Sequence, residues 1–118
     1  MKTQQTLFDA VLIDDDPLIR EVWKLSAMDN AKNIRVYSSA QEFFDSLDDF
    51  CRNTEIYIDS RLGEKVSGEV IAQKIYEYGF QNIYLATGFS PQDIKPNPYL
   101  KGIQGKIPPW EINTDNCL

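Results

Sequence analysis

The chain of 118 residues contains no histidine. That absence removes Ser-His-Asp triads, histidine acid–base catalysis and imidazole metal ligation, and it means the chain cannot itself carry a phosphohistidine. Cysteine is scarce: Cys51 and Cys117 are too few and too far apart for a disulfide scaffold or a CxxC metal site. No run is long and apolar enough to span a membrane, so none is expected as a partner. Met1-Lys2-Thr3-Gln4-Gln5 carries no signal-peptide core, so the expected compartment is a reducing cytoplasm. Positive charge is in deficit, with 12 Lys and Arg against 18 Asp and Glu and a net charge of −6. Non-specific nucleic-acid binding depends on clustered Lys and Arg, so nucleic acid is not an expected partner. Internal repeats, linkers and low-complexity runs are missing as well.

What remains is an ordinary globular composition, 42% hydrophobic and 25% charged, long enough for one domain with a real core over residues 1–118. Residues 1–6 and 111–118 are expected to be loosely ordered tails. Short apolar runs alternate with helical patterns, the arrangement that gives a parallel sheet covered by helices. Phe8 to Ile13 is the first expected strand and ends in Asp14-Asp15-Asp16. Pro17 then opens a helix, where its fixed φ and missing N–H cost nothing. Ile19, Val22, Trp23, Leu25 and Ala27 carry the apolar spacing of that helix, which fades near Asn30.

Ile34-Arg35-Val36-Tyr37 is a second strand, followed by a helix capped from Ser38 or Ser39, with Glu42 completing a capping-box pattern. Phe43, Phe44, Leu47 and Phe50 form its apolar stripe. Ile56-Tyr57-Ile58-Asp59 reads as a strand buried on both faces that delivers an acid at its carboxyl end. Ser67 caps the next helix, about Gly68 to Tyr78, with Val70, Ile71, Ile75 and Tyr78 on one side and Gly79 as the stop. Ile83-Tyr84-Leu85-Ala86 is a fourth strand, delivering Thr87-Gly88. Pro91, Pro96 and Pro98 then leave room for only a turn or so of helix. Gly102 to Ile107 is a short fifth strand carrying Lys106, and the eight residues after Trp110 are too few for a full closing helix.

The strand ends therefore bring Asp14/Asp15, Asp59, Thr87 and Lys106 to one edge. Singly, each reads as a helix cap, a turn or a surface charge. Together they share a chemistry. Converging carboxylates repel unless a cation neutralises them, and oxygen-only ligands without His or Cys point to a hard ion such as Mg²⁺. A carboxylate beside Mg²⁺ can act as a nucleophile and form an aspartyl phosphate. A lysine ammonium and a hydroxyl then complete the set of groups around the phosphoryl oxygens.

Val11-Leu12-Ile13-Asp14-Asp15-Asp16-Pro17, Ile58-Asp59-Ser60-Arg61-Leu62-Gly63, Leu85-Ala86-Thr87-Gly88 and Gly105-Lys106 stand in an order and spacing that resembles the receiver domain of two-component response regulators. The resemblance runs over nearly the whole chain up to Trp110. It implies a flavodoxin-like α/β fold, a doubly wound five-stranded parallel sheet of order 2-1-3-4-5. It also implies a cytoplasmic signalling phosphoprotein that is not a metabolic enzyme. A partner histidine kinase or histidine phosphotransfer protein would pass a phosphoryl group to Asp59 with Mg²⁺, and the domain would catalyse only its own phosphorylation and dephosphorylation. Asp59 matches the phosphoacceptor, Asp15 the direct Mg²⁺ ligand, and Asp14 the acid that holds the metal through water. Arg61 matches the position that lends its backbone carbonyl, Thr87 the phosphoryl-contacting hydroxyl, and Lys106 the salt-bridging lysine. Asp16 matches no family role and is assigned to the helix N-terminus.

Four departures from the family pattern stand out. Gly68 is nine residues after Asp59 where the family has its glycine at eight. Ile107 separates Lys106 from proline, so a cis bond would lie at Pro108 or Pro109. Ile103 occupies the place of the switching aromatic, and the fourth and fifth helices are shortened or rudimentary. These bear on output, and the chain is expected to remain monomeric when it acts on its downstream protein target. The Gly105–Trp110 ending is similar to receivers that close hybrid sensor kinases, which implies a phosphorelay role. A haloacid-dehalogenase-like phosphatase would need an Asp-x-Asp beginning with the nucleophile, which Asp59-Ser60-Arg61 does not supply, and a cap or longer chain. A pseudo-receiver acting only as a protein-interaction module is the alternative reading.

Overall fold

The computed structural model of the chain describes residues 7–62, 66–88 and 97–112. Five parallel strands form one sheet: β1 (Ala10–Ile13), β2 (Ile34–Tyr37), β3 (Glu55–Asp59), β6 (Ile83–Ala86) and β7 (Gly102–Gln104). The spatial order is β2-β1-β3-β6-β7, which is 2-1-3-4-5 for these five strands taken in chain order. All four β1 residues are buried, as expected for a central parallel strand covered on both faces. A separate antiparallel pair, β4 (Arg61–Leu62) and β5 (Val66–Ser67), sits between β3 and the following helix.

Local chemistry sets the helix starts. Helix α1 (Pro17–Asp29) is capped by Asp16, whose carboxylate accepts from the Leu18 N–H at 2.9 Å. Ser39 caps α2 (Ala40–Phe44) by accepting from the Glu42 N–H. Glu42 reaches back to the N–H of Ser38 at 2.9 Å, one residue earlier than a simple capping box requires. Helix α2 is short, and Leu47–Asp49 form a separate 3₁₀ turn. Ser67 caps α3 (Gly68–Glu77), and Gly79 ends it with φ 101°. The last element among the described residues, α4 (Pro109–Ile112), is a single turn where a rudimentary closing helix is expected from sequence.

Each sheet face carries its own core. Val11, Ile13, Ile56, Ile58, Ile83 and Leu85 face α2 and α3 and pack with Phe43, Phe50, Phe80, Ile71 and Ile75. Ala10, Leu12, Tyr57 and Ala86 face α1 and pack with Trp23, with Trp110 and Tyr84 at the rim.

Several sequence expectations are corrected. Val22 and Leu25 are exposed, because α1 turns Trp23, Ser26 and Ala27 inward. Val70 and Tyr78 are likewise exposed. Gly68 is pressed against the Asp59 carbonyl, where an added Cβ would lie 2.3 Å from that oxygen. This fixes Gly68, Ile71, Ala72 and Ile75 as the inward face of α3. Strand β1 begins at Ala10 and not Phe8, and β7 ends at Gln104, leaving Lys106 in the bend beyond it. No peptide bond among the described residues is cis, Pro108 and Pro109 included. The proline-shortened fourth helix falls mostly on residues 89–96, which lie outside the described residues, as do the expected tails at 1–6 and 113–118. No helix among the described residues is long and apolar enough to cross a membrane.

Candidate functional site

Because β1, β3, β6 and β7 are parallel, their carboxyl ends share one edge of the sheet, the edge where open α/β sheets gather ligands. Asp14 follows β1 and is fully buried (0% exposed). Its Oδ1 accepts from the Asp16 N–H at 2.9 Å, and its carbonyl accepts from the Arg20 guanidinium at 2.9 Å. Asp59 is the last residue of β3 and is half-buried. The Lys106 ammonium joins the two acids, with Nζ 2.6 Å from Asp14 Oδ2 and 2.8 Å from Asp59 Oδ1.

Asp15 sits at the exposed mouth. Carboxylate oxygens of Asp14, Asp15 and Asp59 lie within 4.8 Å of one another, making this the one candidate metal-ligating cluster among the described residues. Three carboxylates thus gather around the Lys106 ammonium. With oxygen donors and no imidazole or thiolate, the donor set fits a hard divalent cation such as Mg²⁺.

Burial pushes the Asp14 carboxyl above its ordinary range, outweighing the bonds from Lys106 and the Asp16 N–H that pull it down. For Lys106 burial opposes the charge. Its hydrogen bonds to Asp14 and Asp59 prevail, and the ammonium is held above its usual value.

Thr87, at the end of β6, is almost fully buried (1% exposed), and its N–H donates to the Gln104 carbonyl at 2.9 Å. Its hydroxyl lies 2.9 Å from that of Ser60. Arg61 opens β4 with its side chain exposed, and its N–H points to Asp59 Oδ1 at 3.4 Å. The β4–β5 pair lies between Asp59 and Gly68, and the Gly68 N–H donates to the Ser60 carbonyl at 3.0 Å. Asp14, Asp59 and Lys106 therefore meet, with Asp15 within ligand reach, and Thr87 stands at the same sheet edge against Ser60. Asp16 belongs to the α1 cap.

Ser60, Arg20 and Trp23 are the residues that sequence reasoning did not assign to the site. Ser60 stands in the break after the Asp59 strand, Arg20 outside the apolar spacing of the first helix and Trp23 within it. Their bonds to Thr87, Asp14 and Lys106 leave no local sequence signal.

This sheet order and edge define the fold of the response regulator receiver domains. The chain superimposes on a CheY-like receiver domain protein from Methanospirillum hungatei JF-1 with a TM-score of 0.71 and 15% identity, covering 91% of this chain and 88% of that one. A CheY-like receiver domain from Methylobacillus flagellatus gives 0.69 and 14%, covering 92% and 94%. No protein-family model and no curated protein matches the sequence.

Proposed function

We propose that the chain is a phosphoacceptor receiver domain, in which Asp59 takes a phosphoryl group from the phosphohistidine of a partner histidine kinase or histidine phosphotransfer protein. The observation that carries this reading is the Lys106 ammonium held on both Asp14 and Asp59, with the Asp15 carboxylate within ligand reach at the mouth.

In this reading an Asp59 carboxylate oxygen attacks phosphorus. The P–O bond forms as the P–N bond to the donor imidazole breaks, and the imidazole leaves carrying that electron pair. Lys106 is already beside the acceptor, so its charge is in place for a phosphoryl oxygen. The Thr87 hydroxyl exchanges its contact with Ser60 for another. Asp15 and Asp59 would hold Mg²⁺ directly, Asp14 through water, with the Arg61 carbonyl as a further ligand. The ion's role is to neutralise charge on the phosphoryl oxygens.

Leu18, Val22, Leu25 and Met28 form an exposed apolar stripe that runs along α1 away from its start at the site, a surface suited to seating the donor protein. The chain is a signalling module and not a metabolic enzyme. It works as a monomer in the cytoplasm, with a downstream protein as its target.

Acetyl phosphate with Mg²⁺ tests the assignment. The expected result is a mass gain of one phosphoryl group that hydroxylamine removes. A wild-type chain that gains nothing would instead be an interaction module, the reading favoured by the one-turn α4. Sedimentation with and without beryllofluoride tests the monomer, and a switch to a tight dimer overturns it.

A further inference from the structure

Lys106 lies beyond the last residue of β7, so no strand ladder holds its backbone. The bend it occupies is braced by side chains. Gln104 Nε2 donates to the carbonyls of Gly105 at 3.3 Å and Ile107 at 3.0 Å. The Lys106 carbonyl accepts from the indole N–H of Trp23 at 2.9 Å, a contact between residues 83 positions apart. Trp23 is completely buried and packs between Tyr57, with ring centroids 5.4 Å apart, and Trp110, at 5.7 Å.

Arg20 stands one turn earlier on the same face of α1 and binds the Asp14 carbonyl. Two side chains of one helix thus grip the backbones of both partners in the Asp14–Lys106 ion pair. A buried indole needs an acceptor for its N–H. Here that acceptor is the residue whose ammonium must meet the phosphoryl group.

We infer that Trp23 is a positioning residue for Lys106: its indole N–H fixes the lysine backbone so that the ammonium rests on Asp59. The inference builds on the phosphoacceptor reading and adds a residue on the far side of the sheet edge from the reacting atoms.

The experiment compares beryllofluoride affinity in saturating Mg²⁺ with affinity for Mg²⁺ alone. Trp23→Phe keeps an aromatic ring and loses the donor. Benzothienylalanine at position 23 keeps the indole shape and loses only the N–H, so it serves if Trp23→Phe does not fold. Beryllofluoride affinity is expected to fall about fivefold, the scale of one neutral hydrogen bond, with Mg²⁺ affinity unchanged. Trp110→Phe, which removes the Trp110–Ser26 bond and leaves the Trp23–Lys106 bond in place, is expected to leave both affinities unchanged. In the wild type, beryllofluoride is expected to shift the Trp23 indole N–H resonance more than that of Trp110.

Folded position-23 variants with wild-type beryllofluoride affinity would overturn the inference alone. So would a parallel loss of Mg²⁺ affinity, or a Trp23 resonance that does not move. A wild-type chain that binds no beryllofluoride removes the phosphoacceptor reading, and this inference with it.

Discussion

On the sheet face covered by α2 and α3, the strands contribute mainly branched aliphatic side chains that pack against Phe43, Phe50 and Phe80, with Tyr37 adding a ring whose hydroxyl accepts from Arg35 at 3.3 Å. On the α1 face the rings carry polar tips. Tyr57 donates its hydroxyl to Glu55 at 2.9 Å, Trp23 its N–H to Lys106, and Trp110 its N–H to Ser26 at 2.8 Å; Ser26 in turn donates to Glu111. Oily packing is non-directional and scales with area removed from water, so the first face supplies stability. Hydrogen-bonded rings fix orientation at modest net energy, so the second supplies geometry to the loop bearing Lys106. The residues that aim Lys106 lie on the α1 side of the five strands, opposite the aliphatic core.

The largest effect separates chemistry from both faces. Asp59→Asn is expected to reduce phosphoryl uptake to background while the far-ultraviolet circular dichroism stays native, because an amide fits the site and cannot act as the nucleophile. Next is the aliphatic face. Phe43→Ala should cost about 3–5 kcal/mol in urea unfolding, from lost burial plus the cavity left behind. Gly68→Ala should follow at about 1–3 kcal/mol, since the added methyl must displace the Asp59 carbonyl. It should also weaken Mg²⁺ binding in a metal titration, which Phe43→Ala in its folded fraction should not.

Trp110→Phe should cost only about 1 kcal/mol, one hydrogen bond with most of the packing kept. A cost equal to that of Phe43→Ala would erase the contrast between the faces.

The smallest effect is seen in alkali. Burial first, and then the Glu55 carboxylate, push the Tyr57 hydroxyl well above its ordinary 10.0. A folded-state pKa raised above the unfolded one contributes stability that is complete below the unfolded value and is lost as pH climbs through the folded one. Stability should therefore decline above about pH 10, and Tyr57→Phe should shallow that decline in pH-dependent urea midpoints.

Much of the architecture was legible because parallel strands buried on both faces appear as unbroken apolar runs, as at Ile56–Ile58 and Ile83–Ala86. The helix starts were also legible, since Asp16, Ser39 and Ser67 cap through contacts two or three residues away. Helix orientation was not. Val22 and Trp23 are adjacent apolar residues, and only the sheet beneath decides which of them turns inward. The β4–β5 pair has two residues per strand, too few for any periodicity to show. At the site, the acids and the lysine could be read from strand ends. The Ser60–Thr87 and Trp23–Lys106 contacts join residues 27 and 83 positions apart and depend on the folded chain alone.

The packing around Trp23 determines how the protein handles light. Trp23 and Trp110 are the chain's two tryptophans, set edge to face at an interplanar angle of 78°. Rings this close exchange excitation, so their near-ultraviolet bands combine into a coupled signal, and emission from the stacked Tyr57 and Tyr84 drains into the indoles. One indole of the pair is tied to the Lys106 carbonyl. A small displacement of that carbonyl would register as a change in the protein's own fluorescence, with no dye attached.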